Sequence, residues 1–190
     1  MSKILAGLLF GVMILYSGCA YKVGQKFRSL PGGYQRLSIP VFKNKSMEPG
    51  AEAILTQALK EEFFRSTVLK VVSDNEAEVR LEGQIEALRY DPTSTVIESD
   101  QKNQLPTGTV LTSSYIMNVI LNVKLVKTAT AEVLWQSQFS SSRQMSASQV
   151  TYAGINSVNP IYNQNAKRIV LESVAYELSN QIHNNLTENF

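Results

Sequence analysis

The chain has 190 residues, 44% hydrophobic and 18% charged, which is the composition of a folded protein and not of a disordered one. Its 18 Lys plus Arg stand against 16 Asp plus Glu, and a net charge of +2 supplies no field that would draw in nucleic acid. One Cys and one His rule out an internal disulfide framework, leave no ligand set for structural zinc and remove most Cys/His catalytic arrangements.

Lys3 gives the start a positive charge, and Ile4 to Tyr16 then runs without one before Ser17-Gly18-Cys19. A basic start, an apolar run and small residues make residues 1–18 a signal peptide. The run of about 13 residues falls short of the ~20 that a spanning helix needs. Ser17, Gly18 and Cys19 resemble a bacterial lipobox, with Tyr16 where Leu is usual. The resemblance implies lipidation at Cys19; a general signal peptide with a small residue near the cut is the other reading. Each buried methylene of an acyl chain contributes about 0.8 kcal/mol, so two or three chains anchor the protein firmly. Ala20 rather than Asp follows the Cys, which by resemblance to sorting signals implies the outer membrane.

Residues 19–35, with Lys22, Lys26, Arg28 and a Leu30-Pro31-Gly32-Gly33 turn, read as a lipidated N-terminal tether, and residues 36–190 as a single domain. Residues 37–42 are a strand in which Pro40, lacking an N–H, requires an edge or a bulge. Ser46 is placed to cap the next element and Pro49 suits a first helical turn. Ala51, Ile54, Leu55, Ala58, Leu59 and Phe63 keep helical spacing. Residues 68–72 are a short strand, and strand, helix, strand over so few residues implies a parallel crossover. In residues 79–89, Val79, Leu81, Gly83, Ile85 and Ala87 alternate with Arg80, Glu82, Gln84 and Glu86, a half-buried strand. Residues 91–112 are polar, carry Pro92 and Pro106, and read as a long loop. Tyr115, Met117, Val119, Leu121, Val123 and Leu125 form the clearest strand face, and Val133, Trp135 and Phe139 the strand that returns. Residues 140–158 are Ser-rich and fix no element beyond a continuation of that strand to Met145. Asn159-Pro160 opens a final helix, regular from near Asn165, with Leu171, Val174, Ala175, Leu178 and Ile182 along one stripe. The order β-α-β-β-β-β-α predicts an α+β two-layer sandwich, two helices on one face of a mixed, mainly antiparallel sheet of about five strands.

Little in the chain carries chemistry. His183 reads as a surface histidine near a helix C-terminus. Glu82 and Glu86 share a strand face and could serve glycoside hydrolysis only at the right separation; a solvated face is the plainer reading. No phosphate-binding loop, nucleophile elbow or zinc-protease motif occurs. No catalytic residue, metal or cofactor is expected. With both helices on one side, the other side of the sheet shows Arg80, Gln84, Asn118, Asn122, Gln136 and Gln138, amide-rich and suited either to water or to a wet, polar partner. Arg89, Lys124, Lys127 and Arg143, near the expected strand ends, could meet anionic phosphates.

In order along the chain, Gly18-Cys19-Ala20-Tyr21, Leu30-Pro31-Gly32-Gly33, residues 37–44 (Leu-Ser-Ile-Pro-Val-Phe-Lys-Asn), Glu48-Pro49-Gly50-Ala51-Glu52, Val71-Val72, residues 79–85 and Val133-Leu134-Trp135 resemble the lipopolysaccharide-assembly lipoprotein family, LptE-like. The resemblance implies a non-enzymatic outer-membrane lipoprotein on the periplasmic side. It would plug and help assemble a large β-barrel lipopolysaccharide translocon, one to one. It would also assist lipopolysaccharide delivery to the surface, in some members by binding it through basic residues. Two other readings stay open: a lipoprotein of another export system, such as a curli-secretion-like pore subunit, and a periplasmic hydrolase using Glu82 and Glu86.

Overall fold

A computed structural model describes residues 30–66, 69–97, 109–152, 155–156 and 160–188; residues 1–18, read above as a signal peptide, Cys19 and most of residues 19–35, read as a tether, lie outside them. The elements run β1 (Arg36–Ser38), β2 (Lys43–Asn44), α1 (Ala51–Arg65), β3 (Lys70–Val71), β4 (Val79–Ile97), β5 (Val110–Lys127), β6 (Val133–Tyr152), β7 (Ile155–Asn156) and α2 (Pro160–Glu188). They form one sheet in the order β3-β1-β4-β5-β6-β7, with β2 also paired to β4. The pairs among β1, β2, β3 and β4 are parallel and the rest antiparallel. Two helices on one face of a mixed sheet give the expected two-layer α+β architecture.

Pro40 explains why the first strand is split. Ser38 pairs with Arg80 and Lys43 with Gln84, so four residues of one strand stand opposite three of the other. The proline falls in this bulge, where no ladder N–H is needed. Phe42 turns inward there: its backbone N–H donates to Thr56 Oγ1 on α1 (3.0 Å), and its ring lies over Gly83. A Cβ at Gly83 would stand 2.5 Å from that ring, so the strand needs a residue without one.

Helix α1 starts at Gly50, not at Ser46. Gly50 has φ 86°, left-handed backbone that glycine adopts without strain, and its carbonyl accepts from the Ala53 and Ile54 amides. Ser46 belongs to the loop before it, where its amide donates to Asn44 Oδ1 (2.8 Å). Ala51, Leu55, Leu59 and Phe63 are buried along one stripe. Glu52 sits in the first turn and Arg65 in the last, each with the favourable sign for the helix dipole.

The three long strands overrun their expected ends. The polar stretch 91–97 is strand and not loop, because β5 begins at Val110 and pairs back to Ile97. The Ser-rich stretch likewise stays in β6 as far as Tyr152, paired to β5 from Val126 to Val110. A partner ladder satisfies each backbone group, whatever the side chain.

The buried faces of the strands meet the helices over one core. Val79, Leu81, Ile85 and Leu88 of β4, Met117 to Leu125 at alternate positions of β5, and Phe139 and Met145 of β6 pack against the helix stripes. Val174, Ala175, Leu178, Ile182 and Leu186 carry that stripe along α2. Beyond Ile85 the expected alternation is wrong by one place. Glu86 is an extra residue, with Ile85 opposite Leu121 and Ala87 opposite Ile120, so Leu88 and not Ala87 is buried. His183 is also not on the surface: it is buried against Phe63, ring centroids 5.0 Å apart and tilted 64°.

Farther along β4, Tyr90 reaches the loop before α1 and the side of α2. Its hydroxyl donates to Glu48 Oε2 (2.8 Å), and Lys167 of α2 lies 4.4 Å over its ring and 4.0 Å from the same carboxylate. Burial first, then the Glu48 hydrogen bond and charge, push the phenol's pKa well above its ordinary value, so Tyr90 remains a donor.

Candidate partner-facing sheet surface

The sheet's other face is left bare by both helices. The residues 80, 82, 84, 118, 122, 124, 136 and 138 stand on it in cross-strand rows. Glu82 lies opposite Lys124 and Lys124 opposite Gln136; Gln84 lies opposite Asn122 and Asn122 opposite Gln138. The structure therefore brings together Arg80, Gln84, Asn122, Gln136 and Gln138 as the alternation implies, with Asn118 farther along the same face.

Their side chains form a connected polar lattice. Glu86, outward by the strand's own alternation, accepts from the amide of Gln84, from Lys45 Nζ (3.1 Å) and from Asn122 Nδ2 (3.0 Å). Asn122 in turn accepts from Gln138 Nε2 at 3.1 Å. The Gln84 bond, the Lys45 bond and the Asn122 bond, in that order, hold the Glu86 carboxyl below the usual carboxylate range. One row away, Glu82 pairs with Lys124 (3.0 Å) and Arg80 (3.5 Å). Farther up, Asn118 Nδ2 donates to Asp91 at 2.6 Å.

A groove of about 480 Å³ crosses this face, walled at one end by Pro40, Val41 and Lys43 and floored by Arg80, Glu82, Gln84, Asn122, Lys124 and Gln136. Val41 is 64% exposed and adds an apolar rim. A second depression of about 390 Å³ lies beside Arg89, Asn118 and Ser140 to Ser142. Lys43 and Lys45 are not legible from the sequence as members of this surface. The bulge at Pro40 places both, and the proline is the one signal of it.

The four cations do not converge. Arg89 and Lys127 make no ion pair among the described residues, and they lie nine positions apart along the β5 ladder, about 30 Å. Lys124 is committed to Glu82. Arg143 lies in mid-strand on the helix side, where it donates to Ser173 Oγ and stands 3.7 Å from Glu177 of α2. Because β4 and β6 are longer than expected, neither Arg89 nor Arg143 is near a strand end.

The arrangement is poor in chemistry. The donors around Glu86 favour its ionised form, so it makes a weak general acid at neutral pH, and glycoside cleavage needs one carboxyl raised. No cluster of three metal-ligating side chains occurs among the described residues, and no described helix is long and apolar enough to cross a membrane.

Residues 34–186 match the family model LptE, described as lipopolysaccharide-assembly. No curated protein matches the chain. Among solved structures, it is similar to the hypothetical protein CT253 from Chlamydia trachomatis (8% identity, 82% of this chain and 99% of that one, TM-score 0.48). It is also similar to the rare lipoprotein B from Shewanella oneidensis (13%, 78% and 90%, 0.45) and to a minor lipoprotein from Acinetobacter baumannii (15%, 82% and 92%, 0.42). Likeness at this level carries no argument about function; the family match does.

Proposed function

Because the chain belongs to the LptE lipopolysaccharide-assembly family, we propose that it is an outer-membrane lipoprotein, held at the periplasmic face by acyl chains on Cys19 after loss of residues 1–18. In this reading it plugs a large β-barrel lipopolysaccharide translocon, one to one, and helps that barrel assemble. It performs no catalysis and holds no cofactor or metal.

The observation that carries the reading is the bare sheet face. A surface bound for a barrel's wet lumen must be polar without carrying an uncompensated field, since lumen-facing side chains are polar too. Gln84, Asn122 and Gln138 meet this condition, and Glu86 and Glu82 are already matched by Lys45 and Lys124. Arg80, Asn118 and Gln136 extend the contact at either end. Each amide presents both a donor and an acceptor, and can exchange a neighbour for a partner's group at little net cost.

Lipopolysaccharide delivery would use the cations at separate points. Arg89 and Lys127, which make no ion pair among the described residues, are the stronger candidates for phosphate contact. Lys124 and Arg143 would first have to leave Glu82 and Glu177.

Purification of the full-length protein through a C-terminal tag from detergent-extracted membranes tests this. A large outer-membrane barrel should co-purify in equal amount, and the tagged protein should carry acyl chains by mass spectrometry. A pull-down without such a barrel refutes the plug. A complex mass that fits a ring of identical subunits favours the pore-subunit reading instead.

A further inference from the structure

The sheet ends on one side in a long strand with an open edge. From Trp135 to Ser146, β6 pairs with β5 in unbroken register, Trp135 opposite Leu125 and Ser146 opposite Ser114. Those twelve residues span about 40 Å. On their other side no strand is paired among the described residues; β7 reaches only Thr151 and Tyr152. Every second amide and carbonyl of the stretch therefore points away from the sheet.

Edges of this kind are usually blunted by proline, bulges, charge or brevity. None of these operates here: the stretch has no proline, its register is unbroken, and its single charged side chain, Arg143, is engaged with α2. Gln136, Gln138, Ser140, Ser142 and Gln144 are exposed, so no described residue covers the edge from the bare face.

Helix α2 restricts what can dock. It packs on β6 far more than on β5, and Glu177 reaches Ser141 (2.9 Å) and Arg143. A second copy joined antiparallel through its own β6 would bring its α2, on the same face of the sheet, within one strand spacing, about 5 Å, whereas packed helices need about 8–10 Å. A strand with no helix above it meets no such obstacle.

We propose that the free edge of β6 between Trp135 and Ser146 receives an extended segment of another protein by strand addition. The segment would carry no helix, with apolar side chains at alternate positions beside Phe139 and Met145 and polar ones beside Gln138, Ser140 and Ser142. Main-chain hydrogen bonds supply the affinity, and the alternation supplies the specificity. This deepens the plug reading and rests on it only for which chain brings the strand.

Amide hydrogen exchange on the full-length protein, alone and in the co-purified barrel complex, is the test. Alone, alternate amides of residues 135–146 should exchange fast; in the complex all should slow by at least about tenfold. Fast exchange persisting in an intact complex overturns the strand addition and leaves the plug standing. If no barrel co-purifies, the plug fails, and a Lys-flanked alternating Thr-Val decapeptide replaces it as probe. Slowed exchange and a shift of the Trp135 emission then support the edge, and no change overturns it. Uniformly slow exchange in the free protein also overturns the inference, because the edge is then filled by this chain's own segment or by a second copy, which sedimentation separates.

Discussion

The two faces of one sheet obey different rules. Toward the helices, each position from Val79 to Leu88 and from Met117 to Leu125 is fixed by burial, and a slip of one residue would turn the whole set outward. Toward the open side, the same strands carry amides and paired charges whose partners are other side chains. The first face accounts for why the chain folds. The second costs little to alter for folding and is where a partner can be read. The bulge at Glu86 joins them: the carboxylate keeps its outward place in the polar lattice, while beyond it Leu88 and Tyr90, and not Ala87, face the core.

The contrast can be broken at four points. The largest effect belongs to the covered face. Phe63→Ala empties the contact with His183 and should cost about 3–5 kcal/mol in chemical denaturation; a loss near zero would mean that the two helices are not packed as described. Gly83→Ala sets a Cβ against the Phe42 ring and should cost about 1–3 kcal/mol, with relief when Phe42→Leu is added.

Smaller effects belong to the open face. Deletion of Glu86 should leave Leu88 and Tyr90 buried, because it removes the surplus residue of the bulge and makes the pairing regular. A tyrosine amide or hydroxyl signal showing Tyr90 turned into water would contradict the assigned register. The pair Asn122→Ala and Gln138→Ala should shift stability by no more than about 0.5 kcal/mol, yet lower recovery of the barrel partner. Loss of fold with no loss of partner would reverse the roles assigned to the two faces.

The Glu86 carboxyl supplies a finer check. Its folded pKa is depressed, so its contribution to the lattice is present above the unfolded carboxylate pKa and disappears as pH falls through the lower folded value. Carboxyl chemical shifts should show Glu86 titrating below an ordinary Glu, and the depression should shrink in Gln84→Ala and Lys45→Ala. A titration at the ordinary carboxylate position would remove Glu86 from the lattice.

Much of this is legible in the residues themselves. The stripe through Leu55, Leu59 and Phe63, the alternation through β5 and the amides on the opposite face follow from side-chain period alone, and the amides of the open face can be named singly. Arg143 cannot be placed that way, because its side of the sheet depends on β6 continuing through a Ser-rich stretch with a weak signal of its own. Strict alternation puts Ala87 inward because a bulge leaves no mark in an alternating pattern. His183 looks superficial because a lone imidazole near a helix end carries no information about Phe63.

The sequence by itself determined which face of each element is apolar, since period two and period 3.6 are properties of the backbone, and hence the two-layer plan with one bare polar side. Tertiary structure alone decided how far the strands run, where the extra residue sits and which cations remain free of ion pairs among the described residues. Those outcomes depend on what stands opposite: a neighbouring strand can satisfy the backbone of polar residues that would not form a strand alone, and α2 supplies the carboxylate that holds Arg143.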